Sequence, residues 1–174
     1  MNYDHTHQAL IFDCDGTLTD SMPLHYVAWS QTLQRYGIEF PEERFYAMGG
    51  VPTDKIIRML CEEQAVSGDV VQIAAEKEAA FLRTLADVPA NEPVCAIARQ
   101  HYGKLPMAVA SGGIRSVVID QLVKIEMHDY FATVVAAEDT RRHKPEPDVF
   151  LEAARRLGVE PSGCVVFEDT DIGF

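Results

Sequence analysis

Four short apolar runs, each closing on a carboxylate or a serine, constrain this chain more tightly than any other feature of it. Gln8–Phe12 leads into Asp13-Cys14-Asp15-Gly16, and Pro106–Ala110 into Ser111-Gly112-Gly113. Thr133–Ala137 leads into Glu138-Asp139, and Cys164–Phe167 into Glu168-Asp169. Runs this short and this apolar suit strands buried on both faces. In an open parallel sheet, ligands bind outside the carboxyl ends of the strands. The acidic groups and Ser111 are therefore expected to face one crevice, and Lys144, shortly after the third run, can reach it.

The segments between the runs read as helices. Pro23 suits a first helical turn, with Leu24, Val27 and Ala28 at helical spacing until Gly37 ends the pattern. Pro41-Glu42-Glu43 starts a second helix that Gly49-Gly50 breaks; Thr53–Val66 is a third. Ser67-Gly68-Asp69 caps a fourth, reaching about Ala86, with Ile73, Lys77, Ala80, Phe81, Thr84 and Leu85 on one side. Residues 20–86 thus contain no strand. Helix and strand then alternate: Val94–His101 is helical, Ile114, Val117, Val118, Leu122 and Ile125 form a helical stripe, and so do Val149, Phe150, Ala153, Ala154 and Leu157. The pattern predicts an α/β fold, a Rossmann-like parallel sheet flanked by helices. The core domain is expected at 1–18 and 88–174, and an inserted all-helical cap domain at 19–87.

The formal net charge of −12 disfavours nucleic acid and anionic membrane as partners, since both require basic surface. No apolar run approaches the length of a membrane span. The polar start, Met1 to His7, does not read as a signal peptide, so a cytoplasmic location is the default expectation. Cys14, Cys61, Cys95 and Cys164 are too scattered for a metal or redox motif and read as reduced thiols.

Several carboxylates converging on one crevice repel one another unless a divalent cation lies among them. Hard oxygen ligands suit Mg²⁺, which shares phosphate oxygens with the protein. Phosphoryl transfer needs such a metal, an in-line nucleophile and cations on the equatorial oxygens. Asp13 can be that nucleophile, and Asp15 can protonate the leaving oxygen and then activate water. Ser111 and the N–H groups near Gly112 and Gly113 can hold phosphate at a helix start, with Lys144 adding charge. Other readings fail on particular residues. Leu24 stands where a calcium loop needs its bidentate Glu, Asp20 where a cysteine phosphatase needs Arg, and Val109 where a serine elbow needs Gly.

The same residues carry a family resemblance. Asp13-Cys14-Asp15-Gly16-Thr17-Leu18-Thr19-Asp20-Ser21 resembles the first signature of the haloacid-dehalogenase superfamily, and Val109-Ala110-Ser111-Gly112 the second. The stretch from His143 to Phe150 is similar to the third, and Val166 to Gly173 to the fourth. Within the superfamily the chain resembles most the β-phosphoglucomutase-like branch. The resemblance implies Mg²⁺ held by Asp13, the Asp15 backbone carbonyl and Asp169, with Glu168 nearby. It also implies that His25 assists the catalytic aspartate; the alternative is a histidine that merely stacks on Trp29. Asp15 argues against dehalogenation, since the halide-removing members lack that second aspartate.

Two departures qualify the resemblance. Gly49-Gly50-Val51-Pro52-Thr53 has no Lys or Arg where the branch's mutases carry a cationic cap loop. This favours a phosphatase acting on a small phosphorylated metabolite, similar to the fructose-1-phosphate-type enzymes, over a sugar phosphomutase. The chain also ends at Phe174, soon after Asp169, so a loosely held metal site, or an inactive binding module, is the further alternative. A monomer is the default oligomeric expectation. Glu138 and Asp139 are expected to be structural, Arg58, Arg141 and Arg142 to be solvated, and the aromatic cluster from Tyr26 to Tyr46 to form cap core.

Overall fold

A computed structural model describes residues 7–170; Asp171-Ile172-Gly173 of the fourth signature and the polar start before His7 lie outside the described residues. The apolar runs become strands β1 (Ala9–Phe12), β2 (Met107–Ala110), β3 (Thr133–Val135) and β4 (Cys164–Phe167). All pair in parallel, in the order β3-β2-β1-β4. Every residue of β1 and β2 is buried, as expected where helices cover both faces of a sheet.

Alternation along β1 divides the core in two. Leu10 and Phe12 point to one face, with Met107 and Val109. There they meet Cys95 and Ala98 of α5 (Glu92–His101), and Val118 and Leu122 of α6 (Arg115–Lys124). Ile11 points to the other face, where Ala108, Ala110 and Val135 pack on Val149, Phe150, Ala153 and Ala154 of α7 (Asp148–Leu157). The expected sheet flanked by helices on both faces is what forms.

Between β1 and β2 the chain forms α1 (Met22–Gln34), α2 (Glu42–Ala47), α3 (Thr53–Glu63) and α4 (Val70–Leu82). Pro23 sits in the first turn of α1, and the Asp69 carboxylate caps α4 by accepting from the Val71 and Gln72 N–H groups. These helices have their own apolar cluster around Trp29, Leu33, Phe45, Ile57, Leu60 and Ile73. Trp29, Phe40 and Phe45 of the expected aromatic core are buried, whereas Tyr46 is exposed. The chain enters and leaves this helical segment side by side: Asp20 N–H donates to Pro89 O at 3.0 Å, and Asn91 N–H to Leu18 O at 2.9 Å.

Element ends differ from the sequence reading for local reasons. The third helix stops at Glu63, not Val66, because Ala65 turns left-handed at φ 53° and Val66 N–H closes back on Cys61 O. The fourth stops at Leu82, where the Thr84 hydroxyl takes the Phe81 carbonyl at 2.8 Å. The third strand ends at Val135, because Ala136 N–H turns to the Asp139 carboxylate. Ile114 and Ile125 flank α6 without belonging to it, and Ile114 is exposed. Among the described residues no helix is long and apolar enough to cross a membrane.

Candidate active site

The strand ends carry their side chains to one edge. Asp13 directly follows β1, and its N–H donates to Phe167 O at 2.9 Å, which locks it beside the end of β4. Glu168 and Asp169 follow β4, and oxygens from Asp13, Glu168 and Asp169 lie within 4.8 Å of one another. Gly16 permits this approach. Its φ is +89°, and a Cβ there would lie 2.2 Å from an Asp169 carboxylate oxygen, inside any tolerable contact. The Thr17 hydroxyl reaches Asp169 Oδ1 at 3.4 Å.

Lys144 supplies the opposing charge. Its Nζ donates to Asp13 Oδ1 at 2.7 Å and to Glu168 Oε2 at 2.5 Å, and the side chain is almost fully buried. Burial disfavours the ammonium, but the two carboxylates outweigh it and raise the Lys144 pKa. At Asp13 it is the charged form that loses. Burial, with Glu168 and Asp15 adding like charge, raises its pKa to about 7 despite Lys144. Asp169 is exposed on one side; partial desolvation and the adjacent Glu168 raise its pKa too. This set of oxygens fits a hard divalent cation, whose charge would offset the burial and the repulsion that together lift both aspartates.

Asp15 lies beside this cluster with a different set of partners. Its Oδ1 accepts from Ser21 Oγ at 2.7 Å, His25 Nε2 at 2.9 Å and Gln121 Nε2 at 2.9 Å. Burial alone would raise its pKa, but His25 and these donors hold it well below the usual carboxylate range. Among the described residues Oδ2 accepts no hydrogen bond, and it faces Gly113 of the loop after β2. His25 does not stack on Trp29, as one reading of the sequence had it. It stacks on Phe81, with ring centroids 3.6 Å apart, because α4 crosses α1 at that point.

Behind His25 lies Lys77, buried in the apolar stripe of α4, with Nζ 3.1 Å from His25 Nδ1 and 3.1 Å from Glu78 Oε1. An ammonium only donates, so Nδ1 accepts and the ring proton sits on Nε2, donated to Asp15. Burial and the Lys77 charge lower the His25 pKa against the opposing pull of Asp15 and Glu78. The sequence reading had Lys77 on this stripe without assigning it a role. The signal was available: a lysine spaced four residues from Ile73 and from Phe81 cannot be buried without partners.

Ser111, buried after β2, accepts Gly113 N–H on its hydroxyl at 3.0 Å. Glu138 and Asp139 leave the crevice, contrary to the expectation that all strand-end acids meet there. Glu138 takes the Arg115 N–H at the start of α6, and Asp139 pairs with the guanidinium groups of Arg115 and Arg156. Asp13, Asp15, His25, Ser111, Gly112, Lys144, Glu168 and Asp169 all line one cavity of about 540 Å³, extending toward α3 and α4. Arg58, Arg141 and Arg142 are not among the residues lining it. The loop after α2 closes down on this cavity. Gly50, at φ +80°, brings its backbone against Lys144 and its carbonyl against Gly112.

A parallel sheet whose carboxyl edge gathers a metal-competent acidic cluster, a lysine and a serine defines a Rossmann-like α/β enzyme. The chain belongs to the haloacid dehalogenase-like hydrolases, whose family pattern matches residues 10–174. It is 38% identical over 164 residues to the fructose-1-phosphate phosphatase YqaB of Escherichia coli (strain K12), covering 94% of this chain and 87% of that protein. It is 26% identical over 170 residues to a phosphorylated carbohydrates phosphatase of Thermotoga maritima, covering 95% and 78%. The fold superposes on a crystal structure of β-phosphoglucomutase from Clostridium difficile with a TM-score of 0.86 at 23% identity, covering 95% and 78%.

Proposed function

We propose that this protein is a Mg²⁺-dependent phosphatase that hydrolyses a small phosphomonoester, a sugar phosphate above all, through an aspartyl-phosphate on Asp13. The observation that carries the proposal is the buried Asp13 at the end of the central strand, beside Lys144 and two further carboxylates. The phosphatase relatives support the same reaction class. Asp13, Asp169 and the Asp15 backbone carbonyl would hold Mg²⁺, with Glu168 behind them. The ion would neutralise charge on the phosphoryl oxygens.

The protein's own groups divide the chemistry between them. Asp13 attacks phosphorus, and the bond from phosphorus to the ester oxygen breaks as phospho-Asp13 forms. Asp15 protonates the departing oxygen through Oδ2, the oxygen to which no described residue donates. The negative charge of the phosphomonoester beside it favours the protonated form. In the second step Asp15, again a carboxylate, takes a proton from the water that attacks phospho-Asp13 and releases phosphate. His25, Ser21 and Gln121 fix its orientation by holding Oδ1. Ser111, the Gly112-Gly113 backbone and Lys144 bind the phosphoryl oxygens.

Residues 19–87 act in this reading as the cap over the core at 1–18 and 88–174, limiting the access of water to the phosphoryl group. The four free cysteines suit a reducing, cytoplasmic setting. The mutase alternative is disfavoured by the loop over the site, Gly49–Thr53, which brings no cation for a second phosphate. A panel of phosphorylated metabolites, with and without Mg²⁺, tests the proposal. Wild type should release phosphate only with the metal, and Asp13→Asn should lose at least about 10³-fold. Equal release by both proteins would refute phospho-Asp13.

A further inference from the structure

Beyond the phosphoryl site, the cavity is walled by α3, α4 and the loop that precedes α3. Apolar groups supply much of this wall, among them Met22, Met48, Val51 and Val71. Its polar members differ in how far the protein has already satisfied them. Among the described residues Lys77 is the only lysine or arginine lining this part of the cavity, and its charge is taken up internally. Nζ contacts His25 and Glu78, and lies 5.3 Å from the centroid of the Trp29 ring. Glu78 Oε1 accepts from both Lys77 Nζ and Thr53 Oγ1, at 3.1 Å and 3.2 Å. Among the described residues Glu78 Oε2 accepts nothing, although a carboxylate oxygen has two lone-pair sites. Asp54 adds a second negative charge at the rim, 3.6 Å from Arg58.

We infer that Glu78 is a specificity-determining residue that accepts a hydroxyl of the substrate's unphosphorylated end. The substrate class is a monophosphate with an uncharged, hydroxyl-bearing tail. Glu78 and Asp54 are each already paired, with Lys77 and Arg58, so among the described residues no unpaired lysine or arginine of this wall is left for a second phosphate or a carboxylate on that tail, which would come against two carboxylates at a cost of several-fold in affinity at least. A donor hydroxyl loses its water on entry and regains a charge-assisted partner at Oε2. This inference rests on the phosphatase reading above and narrows it.

The experiment measures kcat and KM, with Mg²⁺, for a ketohexose 1-phosphate, the matching 1,6-bisphosphate and p-nitrophenyl phosphate, which has neither tail hydroxyls nor a second charge. Wild type should favour the monophosphate over the bisphosphate by ten-fold or more in kcat/KM. Glu78→Gln keeps shape and removes charge. It should lower the ratio of monophosphate to p-nitrophenyl phosphate kcat/KM by about ten-fold, chiefly through KM, and narrow the penalty on the bisphosphate. Glu78→Asp keeps the charge but withdraws it by one methylene. It should restore rejection of the bisphosphate without restoring the monophosphate KM. Ratios unchanged in both variants, with wild-type melting curves, overturn the role of Glu78 while leaving phosphatase activity standing. No Mg²⁺-dependent turnover of any of the three compounds by wild type overturns the phosphatase reading itself, and the inference with it.

Discussion

Lys144 occupies a place hostile to a lone cation: almost fully buried, with its ammonium 4.8 Å from the centroid of the Phe150 ring. It stays charged because Asp13 and Glu168 close on it from two strand ends. Removing one partner from a buried ion pair is far costlier than never having had the pair, since the other charge is left without compensation. Lys144→Met, which keeps the stem and deletes the charge, should therefore destabilise the metal-free protein by about 3–5 kcal/mol. That lowers Tm by on the order of 10 °C for a chain of this size. Added Mg²⁺ should recover part of the loss, because the cation replaces the missing charge among the same carboxylates. A variant that melts like wild type without metal would show that Lys144 is not the counter-charge. Asp13 and Asp169 could be picked out in the sequence because each comes at the end of an apolar run, and Lys144 because it follows the third run closely enough to reach the same edge. Lys77 and Gln121 could not be given their roles, because both sit in helical stripes and act on Asp15 only once α4 and α6 are packed.

The Asp139 carboxylate fastens β3 to the helices on either side. It accepts the Ala136 N–H, pairs with Arg115 of α6, and meets Arg156 of α7 at 2.8 Å. Burial pushes its pKa up, but the Ala136 amide and the two arginines prevail and hold it below its ordinary value of 3.8. A carboxylate depressed in the folded state stabilises the fold above its unfolded pKa and loses that contribution as pH falls through the folded value. Asp139→Asn should accordingly cost about 1–3 kcal/mol at neutral pH. The Tm gap to wild type should shrink steadily as pH drops below the ordinary carboxylate range. A gap that stays constant from neutral to strongly acid pH would mean that the charge does not fasten these elements. This fastening also explains an element end the sequence reading missed. Thr133–Ala137 reads as one apolar run, yet pairing stops at Val135 because a side chain takes the next N–H. The positive φ at Ala65 is of the same kind, since the alanine gives no warning of the turn that ends α3.

At the scale of the molecule, alternation of strand and helix was enough to predict the parallel sheet and the helical segment after β1. The strand order β3-β2-β1-β4 was not legible, because pairing joins segments as far apart as Ala9 and Cys164 and no local pattern encodes it. Long-range charge is the other global property. A net charge of −12 makes the compact state repel itself, so any added cation stabilises it somewhat by screening. A specific metal site must rise above that background. A ligand that binds only the folded protein stabilises it by about 2.7 kcal/mol at one hundred times its Kd. That corresponds to roughly 5–10 °C in Tm here. Mg²⁺ should produce a shift of that size in wild type at constant ionic strength, and Na⁺ should not. Asp169→Asn removes one of the clustered oxygens but only one of many surface-field charges, so it should abolish most of the Mg²⁺ shift and leave the salt response unchanged. Equal Mg²⁺ shifts in wild type and Asp169→Asn would assign the effect to screening, and the acidic cluster would then not be where the cation binds.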